Sequence, residues 1–283
     1  MTVRSYFLPS SVPEALDLLG RHGPELLVLA GGTVAMPLIN EGLSLPEAVM
    51  GLRRAGLDRI EERAGRLRIG ATATLTRLVE QRAVPLLAEA ARNTASWSVR
   101  NMATVGGNLF TPPPGGDIAV ALLALDATVV VAGPAGERSI PIADFFTGFL
   151  ATALASDELV VAIEVPVTAG ATAFTKFGRK HGNTPAVVTV AAHVAWEGGT
   201  VASARIALGA VGPHPLRAPA AERAITGTAL DAGSIAAAAA EAARECEPFS
   251  DAIATDWYRR RMTGVVVGRT LERLTAGSAA EGR

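Results

Sequence analysis

The chain has 283 residues, of which 49% are hydrophobic, and this is enough to build two domains with sizeable cores. Its 26 Lys and Arg residues nearly balance 27 Asp and Glu residues, so a formal net charge of −1 provides no field that would attract nucleic acid or an anionic membrane. The apolar runs LLVLA (residues 26–30) and TVVVA (residues 128–132) are far shorter than a bilayer crossing, and the N-terminal MTVRSYFLPSS has no apolar core of the signal-peptide type. We therefore expect a soluble, cytoplasmic protein without a membrane span.

Residues that ligate metals are sparse. Cys246 is the single cysteine, and one thiolate cannot hold an iron–sulfur cluster. The four histidines, His22, His181, His193 and His214, show no spacing typical of a zinc site. The sequence predicts no metal site, so any redox chemistry must use an organic cofactor or the metal of a neighbouring subunit.

The first 166 residues alternate between helical and strand patterns. A proline-started amphipathic helix is predicted at residues 13–22, and a buried strand at residues 26–30 ends at Gly31-Gly32. Further strands and helices are predicted in the segments RLRIGATAT, TLTRLVEQ, VPLLAEAARNTA, ATVVVAG and ELVVAIEVP.

The pattern changes after the turn-rich segment VTAGAT at residues 167–172. Two strand-like segments, AVVTVAAHVAWE and TVASARIALGAVG, flank a hairpin signal at Gly198-Gly199. Ala-rich and amphipathic helices follow, the last of them at residues 257–274. We place a domain boundary near residue 170.

Two Gly-Gly segments are the candidate ligand-binding elements. The first glycine loop comprises residues 30–34 (AGGTV), and the second glycine turn comprises residues 104–108 (TVGGN). Paired glycines let the backbone adopt positive φ and bring its N–H groups close to a bound anion, so each segment can wrap a pyrophosphate, with Thr33 and Asn108 adding side-chain hydrogen bonds. The alternative for either segment is an ordinary tight turn after a strand.

Asp117 follows the second glycine turn through the stiff segment TPPPGG. A carboxylate here can accept hydrogen bonds from the ribose hydroxyls of a nucleotide, or it can cap the N-terminus of the helix IAVALLALDA, and both roles are compatible. The sequence contains neither G-x-G-x-x-G nor G-x-x-x-x-G-K-[ST], so a dinucleotide must bind through a fold other than the Rossmann or P-loop type.

These segments resemble the FAD-binding medium subunits of the carbon monoxide dehydrogenase and xanthine dehydrogenase family, the molybdenum hydroxylases. The similarity covers nearly the whole chain. It is carried by AGGT (30–33), RNMATVGGN (100–108), Asp117 with LLALDA (122–127), FFTGFLATALASDELVVAIEVP (145–166), KFGRK (176–180), GAVGPHPLRAPAAE (209–222) and SDAIATDWYRRRMTGVVVGRTLER (250–273).

The resemblance implies bound FAD. In that family both glycine segments clasp the FAD pyrophosphate, and the later Asp lies close to the adenosine. Leu159 and Lys176 match positions near the isoalloxazine, although Lys176 also suits a solvated charge at a strand end. The implied cofactor-binding residues of this chain are Ala30, Gly31, Gly32, Thr33, Val34, Thr104, Val105, Gly106, Gly107, Asn108, Asp117, Leu159 and Lys176. No side chain is implied as a nucleophile, a general base or a metal ligand.

The resemblance also implies the architecture and the partners. It predicts an α+β fold: a two-subdomain FAD-binding domain of the vanillyl-alcohol-oxidase/PCMH type at residues 1–170, divided into about 1–57 and 58–170, and a small α+β C-terminal domain with antiparallel sheet and helices at residues 171–283. The chain would be an electron-transfer subunit, passing electrons from the [2Fe-2S] clusters of a small subunit through FAD to an external acceptor. A large molybdenum-pterin subunit would oxidise the substrate, and the expected assembly is a dimer of heterotrimers.

Three departures from the family pattern leave alternatives open. Val34 stands where many relatives have a polar residue, Ala103 replaces a frequent glycine, and Thr184 occupies a position where some relatives have an aromatic residue against the flavin. The alternatives are an interaction subunit of the same fold that has lost its cofactor, and a stand-alone flavin oxidoreductase.

The basic run at residues 259–261 suits a solvated helix face or a subunit contact, and Trp97 and Trp257 suit packing or an interface.

Overall fold

A parallel three-stranded sheet forms the N-terminal part of the computed structural model, which describes residues 3–180 and 183–281, with side chains up to Thr275. The strand order is β1-β3-β2, and helix α1 begins after the capping residue Ser11, whose side chain accepts from the amide of Glu14. The apolar face of α1 packs with the sheet in a cluster that includes Leu18 and Met50. The elements are β1 (Ser5–Phe7), α1 (Val12–His22), β2 (Leu26–Leu29), α2 (Ala35–Asn40) and β3 (Ala48–Gly51), with short 3-10 helices at Gly23–Glu25 and Leu52–Arg54.

The central part contains an antiparallel five-stranded sheet in the order β4-β5-β10-β6-β7. Short helices and a small hairpin, β8-β9, fill the connections, and their apolar side chains build the largest core cluster. The elements are β4 (Ile60–Arg63), β5 (Arg66–Gly70), α3 (Leu75–Val79), α4 (Pro85–Asn93), α5 (Trp97–Arg100), α6 (Val105–Leu109), α7 (Asp117–Ala124), β6 (Thr128–Gly133), β7 (Gly136–Pro141), α8 (Ile142–Phe145), β8 (Phe146–Gly148), β9 (Ala151–Thr152) and β10 (Leu159–Pro166).

The C-terminal part is an antiparallel sheet, β11-β12-β13-β14, covered by three helices. Gly198 and Gly199 both have positive φ, at 57° and 81°, and they close the hairpin between β12 and β13 as the sequence predicts. The elements are β11 (Ala171–Gly178), β12 (Ala186–Glu197), β13 (Thr200–Gly209), β14 (Leu216–Arg217), α9 (Pro219–Ile225), α10 (Ala232–Glu245) and α11 (Asp256–Glu281).

Helix α7 joins the central part to the C-terminal sheet. All eight of its residues are buried, since the helix also packs against β12 and β13. The approach is close: a Cβ added to Gly209 of β13 would lie 2.4 Å from Cγ2 of Val120. The C-terminal sheet therefore fixes the position of α7 and of the segment that leads into it.

The basic run at residues 259–261 is only partly a solvated face. Arg259 is fully buried, and its guanidinium donates to the carbonyl oxygens of Ala186, Val187 and Ala210 and bidentately to Asp251. The prediction of an exposed or interfacial run is wrong for this residue, because backbone acceptors from β12 and the loop after β13 converge on it.

None of the helices in residues 3–180 and 183–281 combines the length and apolarity that a bilayer crossing requires. In the same residues no group of three or more His, Cys, Asp or Glu side chains is arranged to hold a metal ion.

Candidate cofactor site

The first glycine loop connects the end of β2 to the start of α2. Gly32 has a φ of +69°, a conformation that side chains rarely adopt, and its carbonyl accepts from the amide of Met36 at 2.9 Å. Within the described part of the chain, the amides of Gly31, Gly32, Thr33 and Val34 have no protein acceptor. The loop thus offers four adjacent backbone donors to a bound anion.

The second glycine turn forms the first turn of α6 and differs from the predicted open nest. Thr104 is the N-cap of α6, and its hydroxyl accepts from the amide of Gly107 at 3.2 Å. The amides of Val105 and Gly106 donate to Ala73 and Ala71 at 2.9 Å each, and that of Asn108 donates to Thr104 at 3.0 Å. These donors are satisfied inside the protein, so within the described residues the free amides belong to the first glycine loop, and the contact of the second glycine turn with a pyrophosphate stays a prediction.

The first glycine loop packs closely against Met102 and Ala103, the residues immediately before the second glycine turn. A Cβ on Gly31 would lie 2.0 Å from the carbonyl oxygen of Met102, and a Cβ on Gly107 would lie 3.7 Å from Cβ of Ala30. A Cβ on Gly106 would lie 2.8 Å from Ala71. Glycine is therefore required at 31 and 106 because backbone and core atoms occupy the place of a side chain.

Asp117 lies in a buried polar cluster beyond the second glycine turn. It is the first residue of α7, whose N-cap is Gly116 with a φ of +81°, so the prediction that Asp117 itself caps the helix is wrong. Its Oδ2 accepts from Nζ of Lys176 at 2.7 Å and its Oδ1 from the hydroxyl of Thr189 at 3.0 Å. The side chains of Asp117 and Lys176 are only 5% and 10% exposed, which contradicts a solvated charge at Lys176.

The predicted site residues thus fall into three groups. The first glycine loop and the second glycine turn lie in contact, and Asn108 ties the turn to α7 because its Oδ1 accepts from the amide of Ile118 at 3.1 Å. Asp117 and Lys176 form the adjoining polar cluster. Leu159 lies apart from both groups, at the start of β10, in the apolar cluster beneath the N-terminal sheet.

Thr189 is a member of the polar cluster that sequence reasoning missed. It lies in the middle of β12, is 1% exposed, and is surrounded in sequence by buried valines. A polar residue at a buried strand position needs a hydrogen-bond partner, and this is the signal by which it could have been found. His181, one of the four histidines without metal-site spacing, lies outside the described residues.

Comparisons with known proteins decide the family. A model of the FAD binding domain in molybdopterin dehydrogenase matches residues 2–168, and a model of the CO dehydrogenase flavoprotein C-terminal domain matches residues 172–274. The chain belongs to this family of molybdopterin dehydrogenase flavoproteins.

Similar family members span almost the entire chain. The carbon monoxide dehydrogenase medium chain of Hydrogenophaga pseudoflava is 36% identical over 94% of this chain and 95% of its own length. The glyceraldehyde dehydrogenase medium chain of Sulfolobus acidocaldarius is 31% identical over 93% and 95%. A solved structure of the Hydrogenophaga pseudoflava carbon monoxide dehydrogenase superposes with a TM-score of 0.92 at 37% identity, covering 97% of this chain and 98% of that one.

These findings confirm the predicted family, the α+β fold with an FAD-binding part, and an FAD-dependent oxidoreductase subunit. The relatives' names include carbon monoxide dehydrogenase and glyceraldehyde dehydrogenase, so members that share this type of subunit act on different substrates.

Proposed function

We propose that the chain holds FAD with its pyrophosphate between the first glycine loop and the second glycine turn. The observation that carries this proposal is the set of four neighbouring free amides at Gly31, Gly32, Thr33 and Val34, beside a turn that leaves no room for side chains. The cofactor-binding residues on this account are Ala30 to Val34 and Thr104 to Asn108.

The two segments make different contributions to the site. The first glycine loop supplies backbone N–H donors, which suit the oxygens of a diphosphate because they need no charged side chain and no reorganisation. The second glycine turn supports that loop: its glycines allow the close contact with Ala30 and Ala71, and the cap at Thr104 fixes its conformation. Val34 is 39% exposed and contributes its backbone amide alone.

Asp117, Lys176 and Leu159 complete the predicted set of cofactor residues. The carboxylate of Asp117 has about four acceptor positions, of which two are used by Lys176 and Thr189, so acceptor capacity remains for the adenosine. Contacts of Leu159 and Lys176 with the isoalloxazine stay predictions, since both side chains are largely enclosed by protein.

FAD, when bound, would supply the redox chemistry of an electron relay between the [2Fe-2S] clusters of a small subunit and an external acceptor. The chain itself binds and orients the cofactor, and it needs no nucleophile or general base. The C-terminal sheet contributes by enclosing α7 and the Asp117 cluster.

We further propose the domain division and the partners implied by the family. The three larger sheets of the described residues occupy residues 5–51, 60–166 and 171–217, which supports an FAD-binding domain at 1–170, with subdomains of about 1–57 and 58–170, and a C-terminal domain at 171–283.

The proposed partners are a large molybdenum-pterin subunit and a small iron–sulfur subunit in a dimer of heterotrimers. Trp97 and Trp257 are 69% and 66% exposed, which supports interface contacts and argues against core packing. A cytoplasmic location is supported by the buried, unpaired Cys246. Mass spectrometry of chains that co-purify with this subunit tests the assembly.

The test of cofactor binding uses competition between flavin and nucleotide fragments. The native complex is expected to be yellow and to release FAD on denaturation. With the flavin-free chain, ADP is expected to compete with FAD because it carries the diphosphate, whereas riboflavin, which has no phosphate, is not. A fully assembled complex that contains no flavin would overturn the proposal.

A further inference from the structure

Lys176 and Thr189 hold the same carboxylate from neighbouring strands. They are directly opposite each other in the antiparallel pair β11-β12, so their side chains stand on the same face of the C-terminal sheet. From that face Lys176 donates to Oδ2 of Asp117 and Thr189 donates to Oδ1. Both oxygens are thereby fixed, which sets the orientation of the carboxylate as well as its position.

Burial makes this arrangement sensitive to the loss of one partner. Thr189 is 1% exposed, and the side chains of Asp117 and Lys176 are 5% and 10% exposed. A buried carboxylate that loses a donor cannot recruit bulk water in its place, so the start of α7 must shift to recover a hydrogen bond.

The cluster is connected to the proposed cofactor loops by a continuous series of contacts. Asp117 is followed by Ile118, whose amide donates to Oδ1 of Asn108 at 3.1 Å. Asn108 ends the second glycine turn, and the residues just before that turn, Met102 and Ala103, lie so close to Gly31 of the first glycine loop that an added Cβ would be 2.0 Å and 3.0 Å from their backbone atoms. A displacement at Thr189 is therefore passed through Asp117 and Asn108 to the second glycine turn and to the backbone that packs against the first glycine loop.

We propose that Thr189 is a positioning residue for the cofactor: acting through Asp117 and Asn108, it fixes the second glycine turn against the first glycine loop and so controls FAD retention from the C-terminal domain. The proposal rests on the proposed function of the two glycine segments. Thr189 touches neither segment, so its effect on FAD is indirect.

The test compares FAD release from three variants of the flavin-loaded complex. Thr189→Val keeps the shape and removes the hydroxyl, and it is expected to accelerate FAD release roughly 10-fold, the order expected for one hydrogen bond to a charged group. Thr189→Ser restores the hydroxyl and is expected to stay within about 2-fold of the unaltered protein. Thr263→Val is the matched control, because Thr263 is equally buried but donates to the carbonyl of Arg259 within α11.

The readouts are the rate of flavin fluorescence appearing on release, the flavin midpoint potential and the melting temperature. The proposal is supported if Thr189→Val changes release and potential while Thr263→Val changes the melting temperature alone. It is overturned if Thr189→Val releases FAD at the unaltered rate, or if both variants accelerate release equally. Thr189→Ala is assessed by the same criteria if Thr189→Val does not fold.

The flavin content of the unaltered complex separates this inference from the proposed function. An unaltered complex without FAD overturns both. A flavin-loaded complex in which Thr189→Val retains FAD normally overturns the positioning role and leaves the loop assignment standing.

Discussion

The first glycine loop and the second glycine turn contain the same Gly-Gly dipeptide, but their backbone amides differ in hydrogen bonding. In the first, the amides from Gly31 to Val34 have no acceptor in the described protein, and Gly32 takes a left-handed conformation. In the second, the amides from Val105 to Asn108 donate to protein acceptors. One segment has free donors, which the proposed function assigns to the pyrophosphate, and the other has its donors satisfied by the protein, which suits the proposed supporting role.

The difference shows that a Gly-Gly pair alone does not define an anion site. A Gly-Gly pair can donate to an anion only where no capping side chain and no neighbouring backbone carbonyl already accepts from its amides. Thr104 does so at α6, whereas Val34 precedes α2 with no side-chain cap. Substitutions in the two segments should distinguish hydrogen-bond donation to the cofactor from structural support of the first glycine loop.

The largest effect is expected for Gly31→Ala. Its methyl would collide with the carbonyl oxygen of Met102 at 2.0 Å, forcing the loop and the turn apart. We expect FAD affinity to fall by roughly 10-fold to 100-fold, measured by fluorescence titration of the flavin-free chain. Gly20→Ala is the control, since a Cβ at Gly20 meets nothing within 4 Å; equal affinity losses in both variants would contradict the account.

Adjacent glycines of the second turn are expected to give different results. Gly106→Ala places a methyl 2.8 Å from Ala71 in the core, so we expect a loss of about 1–3 kcal/mol in the free energy of unfolding and little change in FAD affinity of the folded protein. Gly107→Ala places its methyl 2.9 Å from the hydroxyl oxygen of Thr104, the cap of α6, and only in ordinary contact, at 3.7 Å, with Cβ of Ala30. Because the flexible Thr104 side chain can move aside, this variant is expected to weaken FAD binding with a smaller loss of stability. Denaturant unfolding and FAD titration distinguish the two variants. A larger loss of FAD affinity in Gly106→Ala than in Gly107→Ala would contradict the different roles of these glycines.

A moderate effect is expected for Thr104→Val, which removes the cap of α6. The free energy of unfolding should fall by about 0.5–2 kcal/mol, the usual value for a lost N-cap. Because the amide of Gly107 then loses its protein acceptor, it becomes an additional free donor beside the four of the first glycine loop. Thr104→Ser should restore the stability measured by denaturant unfolding; no loss in Thr104→Val would show that the turn needs no cap.

The smallest effect concerns His193, which lies between Thr168 and Arg205, away from both glycine segments. Burial and the nearby charge of Arg205 lower the pKa of this imidazole, although Asp126, which pairs with Arg205, opposes the shift. With the folded pKa below the ordinary value of about 6.5, the unfolded chain binds more protons, so stability falls as the pH drops through that value.

His193→Gln should therefore reduce the pH dependence of the melting temperature between pH 7.5 and pH 5.5, without altering FAD affinity. An unchanged pH dependence would show that His193 does not contribute to it. A change in FAD affinity would mean that this contact between domains also reaches the cofactor loops.

Local patterns in the sequence predicted most of the fold. The Gly198-Gly199 hairpin, the strand before Gly31 and the helix from residue 257 depend on short-range signals, and all are present, although only Leu26 of that strand is fully buried. The capped α6 was missed because glycines are poor helix formers and the acceptors of its amides, Ala71 and Ala73, lie some thirty residues earlier in the chain.

The sequence indicated which residues belong to the candidate site, but it did not indicate which of them contact each other. The contacts of Arg259 with the carbonyl oxygens of Ala186 and Ala210, and those of Lys176 and Thr189 with Asp117, depend on strand register and helix packing between distant segments. Such long-range pairs leave no periodic signal in a single sequence. Only the burial of a polar residue among valines, as at Thr189, hints at a partner.

Amide hydrogen exchange, compared between the flavin-free and FAD-loaded protein, tests whether the first glycine loop supplies the backbone donors to the FAD pyrophosphate. Exchange should slow strongly on FAD binding in a peptide covering residues 30–36, whose amides at 31–34 have no protein acceptor. A peptide covering residues 104–110 should already be protected without FAD and change little. Protection that instead appears at 104–110, with none gained at 30–36, would contradict the assignment of the pyrophosphate donors to the first glycine loop.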